Sequence, residues 1–340
     1  MIEGMVSTII PVYNRPQFLL ESVNSVLAQT HRPIEIIIVD DGSTDSTPEV
    51  GRHLALQYPE TICWLQISNS GPGPAREAGK KVARGEFIQY LDSDDRLLPS
   101  KFADQIQVLR RHPECGIAYG YTRLIDEHGN ELSDPFKWTG QDLPYLFPGL
   151  LVDRWWCTHT PLYRRTVTDA IGCWSNLRWS QDWEYDARAG ALRTRLINCH
   201  TYVSEHRHHT GQRQTSQADW FTDTARLQNR AALLKALWKN AQQAGISPKD
   251  KESLHFSRWA FLIARHCGAV GLINECQECL DLAIGSSQGV KFQDLTLYRW
   301  LCRLIGQQLA SKIMVEIARI KNNPGQATLP QSFVKTDGEN

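Results

Sequence analysis

The sequence predicts an α/β fold: a mostly parallel sheet sandwiched by helices, with an all-helical extension at the C-terminal end. Three observations carry this expectation. Apolar runs of strand length alternate with helix-period segments four times within the first 110 or so residues. Ile34 to Val39 is a continuous β-branched run with no alternation beyond Glu35, which suits a parallel strand covered on both faces. From about Asp219 onward, apolar residues recur at i, i+3, i+4 spacing and no strand-like run intervenes.

Taken in order, Ser7 to Asn14 reads as a buried strand ending in a polar loop, and Pro16 suits the first turn of a helix. Leu19, Leu20, Val23, Val26 and Leu27 continue that helix. The Ile34 strand is closed by Asp40-Asp41-Gly42-Ser43, and a helix is expected from about Thr47 to Gln57. Ile62 to Ile67 is a third strand. Gly71-Pro72-Gly73-Pro74 leads into a helix over Ala75 to Ala83. Phe87 to Leu91 is a fourth strand, and Pro99 opens a helix reaching Leu109. Right-handed crossovers place the strand C-termini along one edge, where ligands of open α/β sheets bind. The polar clusters at Tyr13-Asn14, Asp40-Asp41 and Asp92 to Asp95 should therefore converge.

The pattern changes near Ile117. Glu127-His128-Gly129-Asn130 reads as a hairpin turn, and residues 134–160, rich in Pro, Trp and Gly, as loops facing a substrate. Trp155-Trp156 reads as core first and as a sugar-stacking platform second. A helix is expected near Arg178 to Arg188, with Ser180 at its N-cap and Asp182 in its first turn. Thr201 to Ser204 reads as a strand. Helical segments follow near 219–244, 250–267, 270–285 and 292–320. In the last of these, Leu295, Leu297, Trp300, Leu301, Leu304 and Ile305 form an apolar stripe. It suits a core or partner face better than a membrane anchor.

Lysine plus arginine and aspartate plus glutamate number 37 each, so no global field attracts nucleic acid or an anionic membrane. Met1 to Ser7 lead straight into the first strand without a signal-sequence pattern, and no apolar run spans a bilayer. Nine scattered cysteines suggest reduced thiols in a cytoplasmic protein. Cys276 and Cys279 lack a second pair to complete a zinc site and read as ordinary helix positions.

Chemistry is densest where the fourth strand ends, at Asp92-Ser93-Asp94-Asp95. Carboxylates crowded this closely repel one another, and Mg²⁺ or Mn²⁺ relieves the repulsion through oxygen ligands. The D-x-D spacing puts Asp92 and Asp94 on the same side of an extended backbone. An acidic turn closing a strand is the plainer alternative.

Several ordered pieces together resemble family 2 of the inverting nucleotide-sugar glycosyltransferases, which have the GT-A fold. They are Thr8 to Asn14, Ile38 to Asp45, Gly71 with Ala75-Arg76 and Gly79, Gly85 to Ile88 leading into Asp92 to Asp95, and Gln181-Asp182-Trp183. The resemblance covers roughly residues 5–215. It implies a GT-A domain over 1–215, with a nucleotide-binding half at 1–116 and an acceptor-binding half at 117–215. A helical domain at 216–321 and a disordered tail at 322–340 complete the expected organisation. The implied reaction moves a sugar from a nucleoside diphosphate donor, with UDP-sugars foremost, to an acceptor hydroxyl of a glycan or lipid-linked precursor.

Carried over by position, Pro11, Tyr13 and Asp41 would line the nucleoside pocket, with Asp41 accepting the imide N–H of a uracil-type base. Arg76 would approach the base or diphosphate. Asp92 would sit near the ribose or metal, and Asp94 would bind Mn²⁺ or Mg²⁺ directly. Asp182 would be the general base that takes the acceptor's proton; its plainer reading is a carboxylate stabilising a helix N-terminus. Arg207-x-His209-x-Gly211 best matches the family's metal or diphosphate histidine, which selects His209, with His206 and His208 as alternatives. The sequence departs from the pattern at Gln181, where a glutamate is usual, and at Glu77-Ala78, where many relatives have an asparagine after the arginine.

A cytoplasmic enzyme is implied, either free or peripheral at the inner membrane face through the helical tail, which could equally hold a protein partner. A catalytically dead nucleotide-sugar-binding scaffold working through that tail is the alternative; retention of Asp41, Asp92, Asp94 and Asp182 together speaks against it. A nucleotidyltransferase would need a Gly-rich phosphate loop with a lysine after the first strand, and a dinucleotide oxidoreductase a G-x-G-x-x-G; neither is present.

Overall fold

The first strand, β1 (Ile2–Val12), lies between β2 (Ile34–Asp40) and β4 (Gly85–Tyr90), with β3 (Ile62–Gln66) beyond β2, all parallel. The computed structural model describes residues 1–126, 128–133, 135–208, 221–288 and 293–321. Helices α1 (Pro16–Leu27), α2 (Thr47–Gln57) and α3 (Pro72–Val82) connect these strands, and α4 (Lys101–Arg111) follows β4. The apolar runs read from the sequence form the core between them: Val6, Ile10, Ile36, Ile38, Leu19, Val23, Phe87 and Phe102 are all buried.

Two of the boundaries that differ from expectation have plain physical reasons. β1 begins at Ile2 rather than Ser7, because Ile2 pairs with Gly85 across an irregularity and donates its N–H to the Arg84 carbonyl at 2.7 Å. Pairing with a neighbour extends a strand that its own polar and glycine-bearing start does not announce. α3 begins at Pro72 rather than Ala75, since proline is tolerated in a first turn where the N–H has no helical partner.

The second half of the sheet is mixed. β8 (Leu162–Arg164) runs antiparallel to both β4 and β6 (Cys115–Ile125), and joins the two halves. β9 (Arg195–Arg207) lies parallel to β6 on its other side, and the two-residue β5 (Arg96–Leu97) pairs antiparallel with β9 at the edge. β7 (Glu131–Ser133) forms a hairpin with β6. Asp126 closes that turn, accepting from the backbone N–H groups of His128 and Asn130 at 2.8 Å each. Along the sheet the order is β3-β2-β1-β4-β8-β6-β9-β5. α5 (Arg165–Ile171) and α6 (Gln181–Ala191) lie between β8 and β9.

Glu35 and Lys101 are among the buried charged side chains of this sheet unit. Glu35 accepts from Ser7 Oγ at 2.5 Å and from Arg84 Nε at 2.8 Å; burial pushes its carboxyl up, but these bonds carry it below the usual range. Lys101 is fully buried, with Nζ donating to Gln105 Oε1 at 2.7 Å and the Thr160 carbonyl at 2.8 Å, and burial pushes it down to about 7. The unfolded chain holds this proton up to about pH 10.4. Between those values the unfolded state binds more protons, so stability contributed by this site rises with pH from about 7 to about 10.4. Urea midpoints measured across that window should climb in the wild type, and Lys101→Met should remove this rise. An unchanged slope in the variant would refute the assignment.

By contacts the chain divides into two compact units, Met1–Leu146 with Trp155–Gln212, and Phe147–Arg154 with Arg213–Asn340. The second is helical: α7 (Thr224–Gln243), α8 (Lys251–Ala269), α9 (Ile273–Gly285), α10 (Gln293–Ile305) and α11 (Gln307–Lys321). The segment expected as one helix over 292–320 is two, broken at Gly306, whose φ of +78° is the left-handed conformation that ends helices. Residues 147–154 belong to this unit through a 3₁₀ turn, Gly149–Leu151, which packs against α7 and α8 with Leu150 and Leu151 buried. Cys276 and Cys279 are buried on α9. On α10, Leu295 and Tyr298 face inward, whereas Leu297, Trp300 and Leu304 are exposed. No helix among the described residues is long and apolar enough to cross a membrane.

Candidate functional site

The C-terminal ends of β1 and β2 are in register, Val12 opposite Asp40 and Pro11 opposite Val39, so the loops that follow them share one edge. Asn14 ties the two loops together: its N–H donates to Ser43 Oγ at 2.9 Å, and its side-chain oxygen accepts from the Thr44 N–H at 2.8 Å. Pro11 is buried in the strand and Tyr13 is exposed just beyond it. Asp41 is buried, its two carboxylate oxygens accepting the backbone N–H groups of Ser70 at 2.7 Å and Gly71 at 2.8 Å. Burial pushes the Asp41 carboxyl up, against these two bonds. Each oxygen keeps a second lone pair, so the carboxylate can still accept from a ligand.

The turn after β4 carries the acids, and each of the first two meets an arginine. Arg76 of α3 donates from Nη2 to Asp92 Oδ1 at 2.5 Å, and Arg15 of the β1–α1 loop pairs with Asp94. The Asp92 and Asp94 side chains are 32% and 20% exposed, open enough to take a ligand in exchange. Arg76 itself is buried at 3% exposure and lies over the Trp174 ring at 4.8 Å. Its Nε and Nη1 have no hydrogen-bond partner. An unpaired buried guanidinium edge is costly unless an acceptor arrives.

The third acid turns the other way. Asp95 is buried and receives the Arg207 backbone N–H at 2.9 Å and His206 Nδ1 at 3.2 Å. His159 Nδ1 lies 2.8 Å from its Oδ2, out of line for a good hydrogen bond. Burial pushes Asp95 up, but the two facing imidazoles hold it well below the usual carboxylate range. Asp95 thus anchors the acidic turn to β9. His206, one of the alternatives for a metal histidine, is placed against Asp95; His208 donates its N–H to the Ile125 carbonyl at 2.7 Å. His209 lies outside the described residues.

Asp182 sits in the first turn of α6, partly exposed, with Oδ1 accepting the Trp183 N–H at 2.8 Å. Ser180 occupies the N-cap position but is left-handed, φ +57°, and makes no side-chain cap bond. The helix is held from beneath by aromatic rings: Trp174 stacks on Tyr185 at 4.1 Å, and the Tyr185 hydroxyl meets that of Tyr90 at 3.3 Å. Trp155 and Trp156 are buried, and Trp156 Nε1 donates to Asp186 at 2.9 Å, so this pair is core. α3 and the approach to α6 touch closely at Gly73, where a Cβ would come within 2.4 Å of the Ser175 carbonyl oxygen. That contact, with Trp174 beneath Arg76, ties the segment bearing Asp182 to the helix bearing Arg76.

The sequence reading singled out neither Arg15, Trp174 nor His159. Arg15 follows the Tyr13-Asn14 cluster and was locally visible as a cation at a strand end, but its partner lies 79 residues away. The residues that cradle the acids are assembled by the sheet.

Residues 7–161 match the family model described as glycosyl transferase family 2. An uncharacterized glycosyltransferase of Rickettsia conorii is 41% identical over 129 residues, which is 38% of this chain and 21% of that protein. The chain thus spans about a fifth of that relative's length. S. aureus TarS 1–349, solved in complex with UDP-GlcNAc, superposes with a TM-score of 0.63 at 17% identity, covering 94% of this chain and 93% of that one. A mannosyltransferase from Pyrobaculum calidifontis, solved with GDP-Man and Mn²⁺, gives 0.51 at 14%, covering 93% and 86%. The fold is GT-A-like, with a C-terminal helical region.

Proposed function

We propose that the chain, whose residues 7–161 match the model of glycosyl transferase family 2, transfers a sugar from a nucleoside diphosphate donor to an acceptor hydroxyl with inversion. The observation that carries the reading is the pairing of Asp92 with Arg76 and of Asp94 with Arg15 at the sheet edge. Two carboxylates and two arginines form a neutral set that a cation and a diphosphate can enter by exchange of partners. The acids turn to the cation and the arginines to the phosphates, leaving no charge unpaired.

The donor set fits a hard divalent ion: carboxylate oxygens at a partly exposed turn suit Mg²⁺ or Mn²⁺. Asp94, with Asp92, would hold it, and His209 is the histidine proposed to join them. When bound, the ion supplies positive charge that offsets the charge building on the departing diphosphate. Arg76 presents Nε and Nη1 to the same phosphates, held by the Trp174 ring. Asp41, with Pro11 and Tyr13, is proposed to receive the base. UDP is the proposed donor nucleotide, with Asp41 accepting the uracil imide N–H; the UDP-GlcNAc and GDP-Man bound by the two structural neighbours make the base the first thing to test. Asp182 is proposed as the general base, orienting the acceptor hydroxyl and taking its proton. The acceptor is proposed to be a glycan or lipid-linked precursor. The exposed α10 residues Leu297, Trp300 and Leu304 are proposed to meet a membrane face or protein partner; a chain that stays with the soluble fraction in liposome flotation would remove the membrane option.

Titrating UDP, GDP and TDP calorimetrically, each with Mn²⁺ and with EDTA, tests the donor site. Metal-dependent binding of one diphosphate is the expected result, and no binding of any would overturn the reading. Arg76→Lys keeps the charge but loses the planar fork and the ring stack. It should weaken nucleotide binding about 10- to 100-fold, as expected for losing charge-assisted hydrogen bonds; an unchanged affinity would remove Arg76 from the site.

A further inference from the structure

The acidic turn has a neighbour that the transfer reaction does not use. Cys157, His159 and His206 present side-chain ligand atoms that all lie within 4.8 Å of one another. Cys157 and His159 are buried in the approach to β8, and His206 comes from β9. We propose that these three residues form a second cation site, for a borderline-soft divalent ion of the zinc class, with Asp95 as a shared orienting carboxylate.

The orientation of the rings is what recommends a ligand. Both histidines direct Nδ1 at Asp95, His159 at 2.8 Å and His206 at 3.1 Å. Metal-binding histidines commonly place one ring nitrogen against a carboxylate, which fixes the tautomer and leaves the other nitrogen for the ion. Here one carboxylate serves two rings. Asp95 is in turn fixed by the Arg207 backbone N–H. The rings are nearly parallel, 18° apart with centroids at 5.7 Å, and Phe136 stacks on His206 from 5.4 Å. The Cys157 thiol is hydrogen-bonded to His206, so the third ligand atom lies beside these stacked rings.

His159 supplies an independent indication. Its side chain is 0% exposed, and its Nε2 has no hydrogen-bond partner. A fully buried imidazole left unsatisfied costs stability, and a metal at Nε2 would satisfy it. Zn–S of about 2.3 Å and Zn–N of about 2.0–2.1 Å place tetrahedral ligand atoms roughly 3.4–3.6 Å apart. The cluster would close by about 1 Å to bind. Two imidazoles and a thiolate leave a fourth position for water.

Ligand chemistry separates this site from the acids next to it. Thiolate and imidazole select zinc-class ions, whereas the carboxylates of Asp92 and Asp94 select Mg²⁺ or Mn²⁺. The ion would cross-link the approach to β8, the end of β9 and, through Asp95, the turn that carries Asp92 and Asp94.

Cobalt(II) reports on the site in the full-length chain, because a bound thiolate gives a near-ultraviolet charge-transfer band and tetrahedral geometry gives intense visible bands. One equivalent of Co²⁺ should produce both, and one equivalent of Zn²⁺ should abolish them. Cys157→Ser should lose the near-ultraviolet band. Asp95→Asn should bind Co²⁺ about 10- to 100-fold more weakly, the usual effect of removing an outer carboxylate. Asp94→Asn should keep the band, which separates this site from the diphosphate-linked ion. Absence of a thiolate band in the wild type would overturn the proposal without any variant. So would its persistence in Cys157→Ser.

Discussion

Asp182→Asn is expected to cut sugar transfer by about 10²–10⁴, the span usual for a lost general base, while nucleotide binding is unchanged. Asparagine is nearly isosteric and can still accept the Trp183 N–H that Asp182 receives at 2.8 Å. The α6 helix beneath it is held by Tyr185, Trp174 and Tyr90, none of which depends on the Asp182 charge. The substitution therefore removes proton acceptance with little else disturbed. Turnover assayed at saturating donor, beside calorimetry of the diphosphate alone, separates the two effects. Full activity in the variant would eliminate Asp182 as the base.

A second large effect is expected from Asp94→Asn: transfer falls to background, and diphosphate affinity in Mn²⁺ drops to the value measured in EDTA. The amide is a weaker ligand than a carboxylate for a hard cation, and it leaves Arg15 without its ion-pair partner. Unlike the Asp182 variant, this one should fail at donor binding. Asp94→Asn with undiminished Mn²⁺-dependent affinity would mean that the acids close the strand and hold no ion. Asp95 is no substitute, being committed to His206, His159 and the Arg207 backbone.

The first half of the sheet was legible because each of its strands is a continuous apolar run joined to an amphipathic helix. α2 spans the Thr47 to Gln57 read from its periodicity. The second half was less so. β8 is three residues long and draws its strand character from pairing with both β4 and β6. β9 extends back from the expected Thr201 to Arg195, through a stretch whose partner is β6 rather than its own alternation. The resemblance pointed to Asp41, Arg76, Asp92, Asp94 and Asp182, and the structure sets Arg76 against Asp92. The division of labour among the acids was not visible. Asp92, Asp94 and Asp95 look alike on paper, yet the first two face arginines at the open edge and the third faces His159 and His206. His159 stands far from Asp95 in the chain, so nothing local announces the contact.

The excursion of residues 147–154 into the helical unit bears on how such a protein could arise and be re-engineered. The polypeptide passes between the two units three times, after Leu146, after Arg154 and after Gln212. Grafting the helices onto another transferase by a single genetic crossover near residue 215 would leave behind the Gly149–Leu151 turn that packs on α7 and α8. Recombination that respects the architecture must exchange both pieces or neither. The helical unit is therefore expected to be inherited together with residues 147–154 rather than shuffled as an independent cassette.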